Sequence, residues 1–280
     1  MNEFEERILS VENMTKKFGE GCDFCREDAS VLQKNYCPHC QTIYACRDVS
    51  FELYKGEILG VVGESGSGKS TIVRCLYFDQ EVSEGNVRVN LFEDGSMNIF
   101  ETSSQQKRYL KDHLFGMVYQ NPYLGLKMHF STLSNVAEKL IAAGNRHVGS
   151  MTRRANELLD VVTIESYRRQ DAPIDFSGGM QQRVQIAKAL SNNPPILFLD
   201  EVTTGLDLSV QANVLDLIKQ IQRDFGISMI VVSHDLGVIR MLADRTIVML
   251  DGCVVESGLT DQILEDPQHP YTQKLVHSLL

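Results

Sequence analysis

The chain has 280 residues, of which 43% are hydrophobic and 23% charged, with a formal net charge of −10 at pH 7. This composition is ordinary for a globular protein, and the length suits one large domain with at most a small added lobe. The acidic balance argues against nucleic acid as a partner, because phosphate neutralisation requires a basic face. The sequence has no apolar run of the ~18 residues that a membrane span needs, and its start, MNEFEERILS, lacks the pattern of a signal peptide. We therefore expect a cytoplasmic protein, peripheral to the inner membrane only through a partner.

Two predicted strands flank a cysteine-rich segment near the start of the chain. The first covers residues 8–19 and includes Phe18 near its end, and the second covers 46–57, where VSFEL alternates apolar and polar residues. The segment between them, residues 20–46, is too short and polar to bury a core of its own, so a bound metal would have to supply its folding energy. A third strand of the same antiparallel sheet is predicted over 86–92.

The cysteines of this segment have the spacing of a zinc ribbon. Two CxxC pairs are separated by eleven residues, and two such turns can supply four thiolates to a tetrahedral Zn²⁺. The predicted ligands are Cys22, Cys25, Cys37 and Cys40. His39 or Cys46 could replace one of them, the thiolates could hold an iron–sulfur cluster, or the thiols could stay reduced without a metal. The segment has a net charge of −2, which argues against contact with DNA.

A phosphate-binding loop follows the second strand. Residues 58–62 form a short apolar strand that leads into GESGSGKS and then into a helical pattern, the order that such a loop requires. The glycines let backbone amides surround phosphate oxygens at a helix N-terminus. Lys69 is expected to reach the β- and γ-phosphates of a nucleotide, and the hydroxyl of Ser70 to ligate Mg²⁺. The residues assigned to the nucleotide are Gly63, Glu64, Ser65, Gly66, Ser67, Gly68, Lys69, Ser70 and Thr71.

Residues 100–175 are predicted to form a helical lobe. Between Glu101 and Gln170 this lobe has ten lysine or arginine residues against six aspartate or glutamate residues, an excess of +4 in an acidic chain. The basic residues could bind an acidic partner, or they could belong to an ordinary solvent-exposed face.

A second glycine-rich helix start and a strand ending in two acids follow the lobe. FSGG precedes an amphipathic helix that Asn193-Pro194-Pro195 stops. The run ILFL over 196–199 predicts a buried strand ending in Asp200 and Glu201, and strand ends carry ligands in parallel α/β sheets. The first acid can hold Mg²⁺, and the second can orient a water molecule. Near the end of the chain, RTIVMLDGCVVESG predicts a hairpin that turns at Asp251-Gly252.

Together with several shorter motifs, these features resemble the ATP-binding cassette (ABC) ATPases. FSGGMQQ resembles the signature motif of that family, and MVYQNPY, TTGLD and VVSHD resemble its Q-loop, D-loop and switch motifs. One departure is Val202, where many relatives have proline after the two acids. The resemblance implies an α/β fold for residues 1–280: a P-loop ABC nucleotide-binding domain with an antiparallel β subdomain, a helical subdomain and a small inserted zinc-knuckle-like segment.

The resemblance also implies a reaction, the Mg²⁺-dependent hydrolysis of ATP at sites shared by two chains that close head to tail. Ser70, Gln120 and Asp200 would hold Mg²⁺, Glu201 would polarise the attacking water, and His234 and Gln120 would complete the catalytic set. The remaining cofactor-binding residues would be Phe18, which stacks on adenine, and Ser177, Gly178, Gly179, Gln181 and Asp207. Three of these residues could instead have no role at the site. His234 could be an ordinary histidine at a strand end, Gln120 an ordinary loop residue, and Phe18 a core residue.

The motif HPYT near the end of the chain narrows the family further. It resembles the ATPases of oligopeptide, dipeptide and nickel importers, and also the PhnK-type ATP-binding subunits of carbon–phosphorus lyase systems, which break down phosphonates. The segments NVAEKLIAAGNRHVGSMTRRANELLDVVTI and DLSVQANVLDLI resemble the second group. We expect an ATPase subunit that forms a homodimer, as the family implies, and whose other partners are soluble lyase subunits. The alternatives are an importer ATPase with membrane permease partners and a zinc-containing ABC ATPase of the DNA-repair type.

Overall fold

The computed structural model describes residues 6–27 and 29–277, without the side chains of residues 26, 27 and 29. Predictions that fall on residues 1–5, Asp28 and 278–280 lie outside the described residues. These are the two ends of the predicted domain 1–280 and one acid of the cysteine-rich segment. The chain divides into two compact units. The first contains the described residues up to Ser103 and those from Val231 onwards, and the second is Ser104–Ile230.

The described residues form the following strands and helices, numbered in chain order. The strands are β1 (Arg7–Phe18), β2 (Ile43–Tyr54), β3 (Ile58–Gly63), β4 (Glu84–Val89), β5 (Phe115–Val118), β6 (Ile196–Asp200), β7 (Ser228–Ser233), β8 (Arg245–Leu250) and β9 (Cys253–Leu259). The helices are α1 (Asp23–Glu27), α2 (Lys69–Leu76), α3 (Ser104–Tyr109), α4 (Pro122–Gly125), α5 (Thr132–Ala142), α6 (Val148–Val161), α7 (Gly178–Ala189), α8 (Leu208–Phe225), α9 (Leu236–Leu242), α10 (Thr260–Glu265) and α11 (Pro270–His277). Among the described residues, no helix is long and apolar enough to cross a membrane.

The first unit contains the predicted antiparallel sheet, with the strand order β2-β1-β4. Strands β1 and β2 form a hairpin whose register runs from Arg7 opposite Tyr54 to Phe18 opposite Ile43. The alternation in VSFEL is confirmed, because Val49, Phe51 and Leu53 are all buried. Strand β2 begins three residues earlier than predicted, at Ile43, because the ladder continues up to the base of the cysteine segment.

The strands that lead into the phosphate loop also lie in the first unit. Strand β3 is buried along its whole length and pairs in parallel with β8, and β8 pairs antiparallel with β9. The predicted hairpin is confirmed. Its two turn residues, Asp251 and Gly252, have φ angles of 48° and 84°. Two successive residues with positive φ form the turn whose twist matches that of the strands it joins.

The second unit combines a short parallel strand pair with helices. Strand β5 pairs in parallel with β6, and the rings of Phe115 and Phe198 pack edge to face with centroids 5.3 Å apart. Helix α5 packs against α6 and α7. The range 100–175 that the sequence predicts as helical therefore also contains a strand, β5, whose run of four buried residues is too short to show a period. Strand β7 begins in this unit and continues into the first.

Candidate nucleotide and metal sites

The phosphate loop, residues 63–71, connects β3 to α2 through glycine conformations that other residues would not adopt. Gly63 has a φ of 150°, and a Cβ atom there would lie 2.2 Å from the carbonyl oxygen of Met249. Gly68 has a φ of 99°, and its Cβ would lie 1.9 Å from the carbonyl oxygen of Ala45. Both the left-handed angle and the neighbouring backbone therefore require glycine at Gly68.

Lys69, the first residue of α2, is almost fully buried, with 3% of its surface exposed. Its Nζ donates hydrogen bonds of 2.8 Å to the carbonyl oxygens of Gly63 and Glu64, so the ammonium lies over the start of the loop. The hydroxyl of Ser67 is also buried, and it has no hydrogen-bond partner among the described residues. A buried ammonium, an unsatisfied hydroxyl and a glycine-framed helix start together fit the phosphates of a nucleotide.

Phe18, assigned to adenine, is the last residue of β1 and remains 47% exposed. The ammonium of Lys16 lies 4.9 Å from the centroid of its ring, within the range of a cation–π contact. About half of the surface of Phe18 therefore stays exposed, whereas a core residue would be buried. This exposure disfavours the interpretation of Phe18 as a core residue and leaves it suited to stacking.

The second unit brings Gln120 and Glu201 together. The side-chain amide of Gln120 donates to Oε2 of Glu201 at 3.0 Å, and the hydroxyl of Thr204 donates to the same oxygen at 3.2 Å. Asp200 ends β6 and is fully buried. Glu201 has a φ of 47°, which is uncommon for a residue other than glycine. Such backbone conformations are typical of sites where a side chain must be aimed in one direction.

Two buried glutamines that the sequence analysis does not single out fix the Q-loop. Gln185 donates to the carbonyl oxygen of Tyr119 at 3.1 Å and accepts from the amide of Tyr119 at 3.2 Å. Gln182 lies within 3.4 Å of the same carbonyl oxygen and 3.3 Å of that of Gln120. Helix α7 therefore holds the backbone beside Gln120. The sequence shows them only as two glutamines three residues apart, and the structure buries both.

The signature residues form the start of α7. Ser177 is its N-cap and accepts from the amide of Met180 at 3.4 Å, while Ser177 and Gly178 are exposed. Gly178 and Gly179 are the first two helical residues rather than a loop before the helix. A Cβ atom on Gly179 would lie 2.3 Å from Val210 on α8, so close packing of the two helices requires glycine. Gln181 donates to the carbonyl oxygens of two preceding residues, at 2.9 and 3.2 Å.

Asp207 and His234 lie beside helix starts. Asp207 is the N-cap of α8, and the hydrogen bonds from the amide of Val210 and the hydroxyl of Ser209 lower the pKa of its carboxyl. His234 is exposed between β7 and α9, and the next residue, Asp235, caps α9.

The four predicted zinc ligands form one cluster. The Sγ atoms of Cys22, Cys25, Cys37 and Cys40 all lie within 4.8 Å of one another. The separations are 3.7 Å for Cys22–Cys25, 3.8 Å for Cys22–Cys37 and 3.7 Å for Cys25–Cys40. A tetrahedral ion with Zn–S bonds of ~2.3 Å has sulfur–sulfur edges of ~3.8 Å. The cluster therefore fits a single tetrahedral ion, whereas an iron–sulfur cluster would hold the thiolates further apart.

The neighbours of this cluster distinguish it from the other cysteines. The hydroxyl of Thr42 lies 3.3 Å from Cys40 Sγ and lowers the pKa of that thiol to about 6. Cys46 lies in β2, where burial raises the pKa of its thiol to about 12. The ring of His39 stacks on Phe24, with centroids 5.1 Å apart. Neither Cys46 nor His39 belongs to a group of metal-ligating atoms within the described part of the chain.

One strand end connects the cysteine cluster to the phosphate loop. Tyr44 packs against Cys25 and Cys37, and its hydroxyl lies 3.5 Å from Cys25 Sγ. The next residue, Ala45, is the one whose carbonyl oxygen approaches Gly68. The two sites are separate motifs in the sequence, and consecutive residues of β2 lie against each of them in the structure.

These elements define the class of protein. The family model described as ABC transporter matches residues 46–204, over half of the chain, and the chain belongs to that family. It is therefore an ATPase that uses ATP with Mg²⁺, in a fold whose relatives function as dimers. The predicted fold class is confirmed, including the antiparallel sheet, the helical part and the four clustered cysteines.

The chain is 46% identical over 273 residues to "Putative phosphonates utilization ATP-binding protein PhnK" of Escherichia coli (strain K12), with 98% of each chain covered. It is 38% identical over 251 residues to methionine import ATP-binding protein MetN 1 of Oceanobacillus iheyensis, covering 89% of this chain and 71% of that one. A dimeric structure of the ATP-binding cassette MJ0796 bound to ADP and Pi superposes with a TM-score of 0.75 at 28% identity, covering 90% of this chain and 99% of that one.

Proposed function

We propose that this ATPase is the ATP-binding subunit of a carbon–phosphorus lyase system and acts in phosphonate metabolism as a head-to-tail homodimer. The observation that carries the proposal is the 46% identity to PhnK, which extends over 98% of both chains. A likeness confined to the catalytic motifs would cover much less. The HPYT and helical-lobe segments that resemble the lyase subunits lie within the aligned length.

Local geometry supports the roles that we propose for Glu201 and Lys69. The carboxylate of Glu201, held by the Gln120 amide and the Thr204 hydroxyl, would orient and polarise the attacking water. Lys69 would lie on the phosphates, and Ser70, Asp200 and Gln120 would hold Mg²⁺, which neutralises charge on the phosphate oxygens. Catalysis of this kind is mainly positioning and electrostatic stabilisation.

The assignments across the dimer complete this proposal. Ser177 and Gly178 are exposed at the start of α7, where a helix N-terminus favours an anion. They would face the ATP bound by the partner chain, together with Gly179, Gln181 and Asp207. His234 would contact the γ-phosphate, and Phe18 would stack on the adenine.

We also propose that the cysteine segment holds one zinc ion through Cys22, Cys25, Cys37 and Cys40. The support is the agreement between the sulfur separations in the cluster and the edges of a zinc–thiolate tetrahedron. The core buried within this segment is small, consisting of the cysteines with Tyr44 and Leu32. Zinc would therefore supply much of its folding energy.

Metal analysis of the purified protein tests the zinc proposal. One equivalent of zinc per chain is expected, and the pair Cys37→Ser and Cys40→Ser should remove it. Cys46→Ser is the matched control, since it changes a buried thiol outside the cluster and should retain the metal. Iron with visible absorbance, or protein that folds without any metal, would contradict the assignment.

Purification from the native host tests the cellular role. Soluble lyase subunits should co-purify with a tagged chain if the proposal is correct. The second candidate function is an importer ATPase, which the 38% identity to a methionine import protein favours. Membrane permease subunits in the purified complex would establish that candidate and overturn the first.

A further inference from the structure

The HPYT segment, His269-Pro270-Tyr271-Thr272, is the motif that the ATPase reaction leaves unexplained. Its last three residues begin α11. Proline suits the first helical position, because the missing N–H would have no intrahelical partner there. The ring Nδ1 of His269 accepts a hydrogen bond from the amide of Tyr271 at 3.2 Å, and Thr272 is fully buried. These contacts hold the first turn of α11 in one place.

Glu256 on β9 anchors this turn. Its two carboxylate oxygens accept from the amides of Gln268 and His269, at 2.7 and 3.0 Å. Burial alone would raise the pKa of Glu256, but the hydrogen bonds outweigh it, and the pKa lies below its usual value. Strand β9 pairs with β8, and β8 pairs with β3, which leads into the phosphate loop. The start of α11 is therefore fixed relative to that loop.

Tyr271 reaches from α11 to the phosphate loop. Its hydroxyl oxygen accepts a hydrogen bond from the amide of Glu64 at 2.9 Å. Burial raises the pKa of Tyr271, so the phenol stays protonated at neutral pH. The amide of Glu64 and the carbonyl of Gly63 belong to one peptide group. The carbonyl of that group is one of the two that accept a hydrogen bond from Lys69 Nζ at 2.8 Å. Tyr271 therefore fixes the N–H of the same peptide group whose carbonyl oxygen binds the Lys69 ammonium.

We propose that Tyr271 is a positioning residue for the phosphate loop. Its hydroxyl fixes the Gly63–Glu64 peptide group and thereby the position of the Lys69 ammonium. The position of this ammonium in turn determines the affinity of the loop for the phosphates of the nucleotide. Gly63 gives this peptide group little restraint of its own, because glycine is the least restricted residue in φ and ψ. This inference rests on the ATP site proposed above.

Tyr271→Phe is the test, because it removes the hydroxyl and leaves the ring. The dissociation constants for MgATP and MgADP should rise roughly three- to tenfold, the effect of losing one hydrogen bond that orders the loop. In steady-state kinetics KM for ATP should rise while kcat changes little. Binding of adenosine, which has no phosphate, should not change. Tyr54→Phe is the matched control, since it removes a hydroxyl bonded to Glu52 in the same unit and should leave all constants unaltered.

The possible outcomes distinguish a failure of this inference from a failure of the proposed function. If the wild-type chain does not bind ATP, the proposed function is wrong. If it binds ATP and Tyr271→Phe binds equally well, the positioning role is wrong. An equal loss of affinity for adenosine would show a general structural effect and would also overturn it.

Discussion

The contact between the phosphate loop and β2 makes Gly68→Ala an informative substitution. The change adds one methyl group at a residue whose φ is 99°. A matched control lies two residues earlier, because Gly66 has a φ of 86° and a Cβ there would meet no atom within 4 Å. The two variants share the unfavourable backbone angle and differ in the contact with Ala45.

The expected magnitude follows from these distances. A left-handed conformation costs a residue with a side chain ~1–2 kcal/mol. At Gly68 the new carbon would also lie 1.9 Å from the Ala45 oxygen, ~1.4 Å inside the usual carbon–oxygen contact of ~3.3 Å. Relieving that overlap requires β2 or the loop to move, and such overpacking costs a further ~1–3 kcal/mol. We expect Gly66→Ala to lose ~1–2 kcal/mol of unfolding free energy and Gly68→Ala ~2–5 kcal/mol.

Urea unfolding without nucleotide measures this difference, and circular dichroism is the suitable signal because the chain has no tryptophan. Omitting ATP keeps the effect of each methyl group on nucleotide binding out of the comparison. Equal unfolding midpoints for the two variants would refute the reasoning, because they would show that Ala45 does not confine Gly68.

Three further predictions concern the reaction and the metal. The Glu201→Gln variant should still bind ATP, form an ATP-bound dimer detectable by gel filtration and hydrolyse ATP roughly 10²–10⁴-fold more slowly. Hydrolysis at the wild-type rate would show that Glu201 does not polarise the attacking water. Mixing a Lys69→Ala chain with a Ser177→Arg chain should restore part of the ATPase activity, since one composite site stays intact; no recovery in a proven mixed dimer would argue against head-to-tail sharing. Replacing Cys37 and Cys40 by serine should disorder the cysteine segment yet retain most ATP binding, because the residues on either side of Ala45, Tyr44 and Cys46, are paired with β1. Loss of binding in a folded variant would contradict this.

The features predictable from the sequence are those in which neighbouring residues carry the information. The strand before Gly63, the turn at Asp251 and the CxxC pairs all depend on local spacing, and the structure agrees with each. Their chemistry needs particular residue types at fixed intervals, so a short stretch of sequence is sufficient to identify them. Strand ends are less certain, as β2 shows, because pairing with a neighbour decides where a ladder stops.

The contacts that support these features could not be predicted, since they join distant residues without a local pattern. Tyr271 and Glu64 are 207 positions apart. Gln182 and Gln185 lie in a helix whose sequence alone does not show which face meets the Q-loop. Such residues appear in the sequence only as a tyrosine in an unassigned motif and as polar residues in an amphipathic helix. Their role depends on the fold as a whole.

The cysteine segment leaves and rejoins the sheet at neighbouring positions, because Phe18 and Ile43 are directly paired. Lengthening a loop between two points already held together costs little, since the closure entropy grows only with the logarithm of its length. The whole cysteine segment could therefore be acquired or discarded at this hairpin tip in a single evolutionary step, without any change in the register of the sheet. By the same logic, a short turn joining these two residues should yield a shorter cassette that still folds, and the excised module could be transplanted onto the corresponding hairpin of another ATPase.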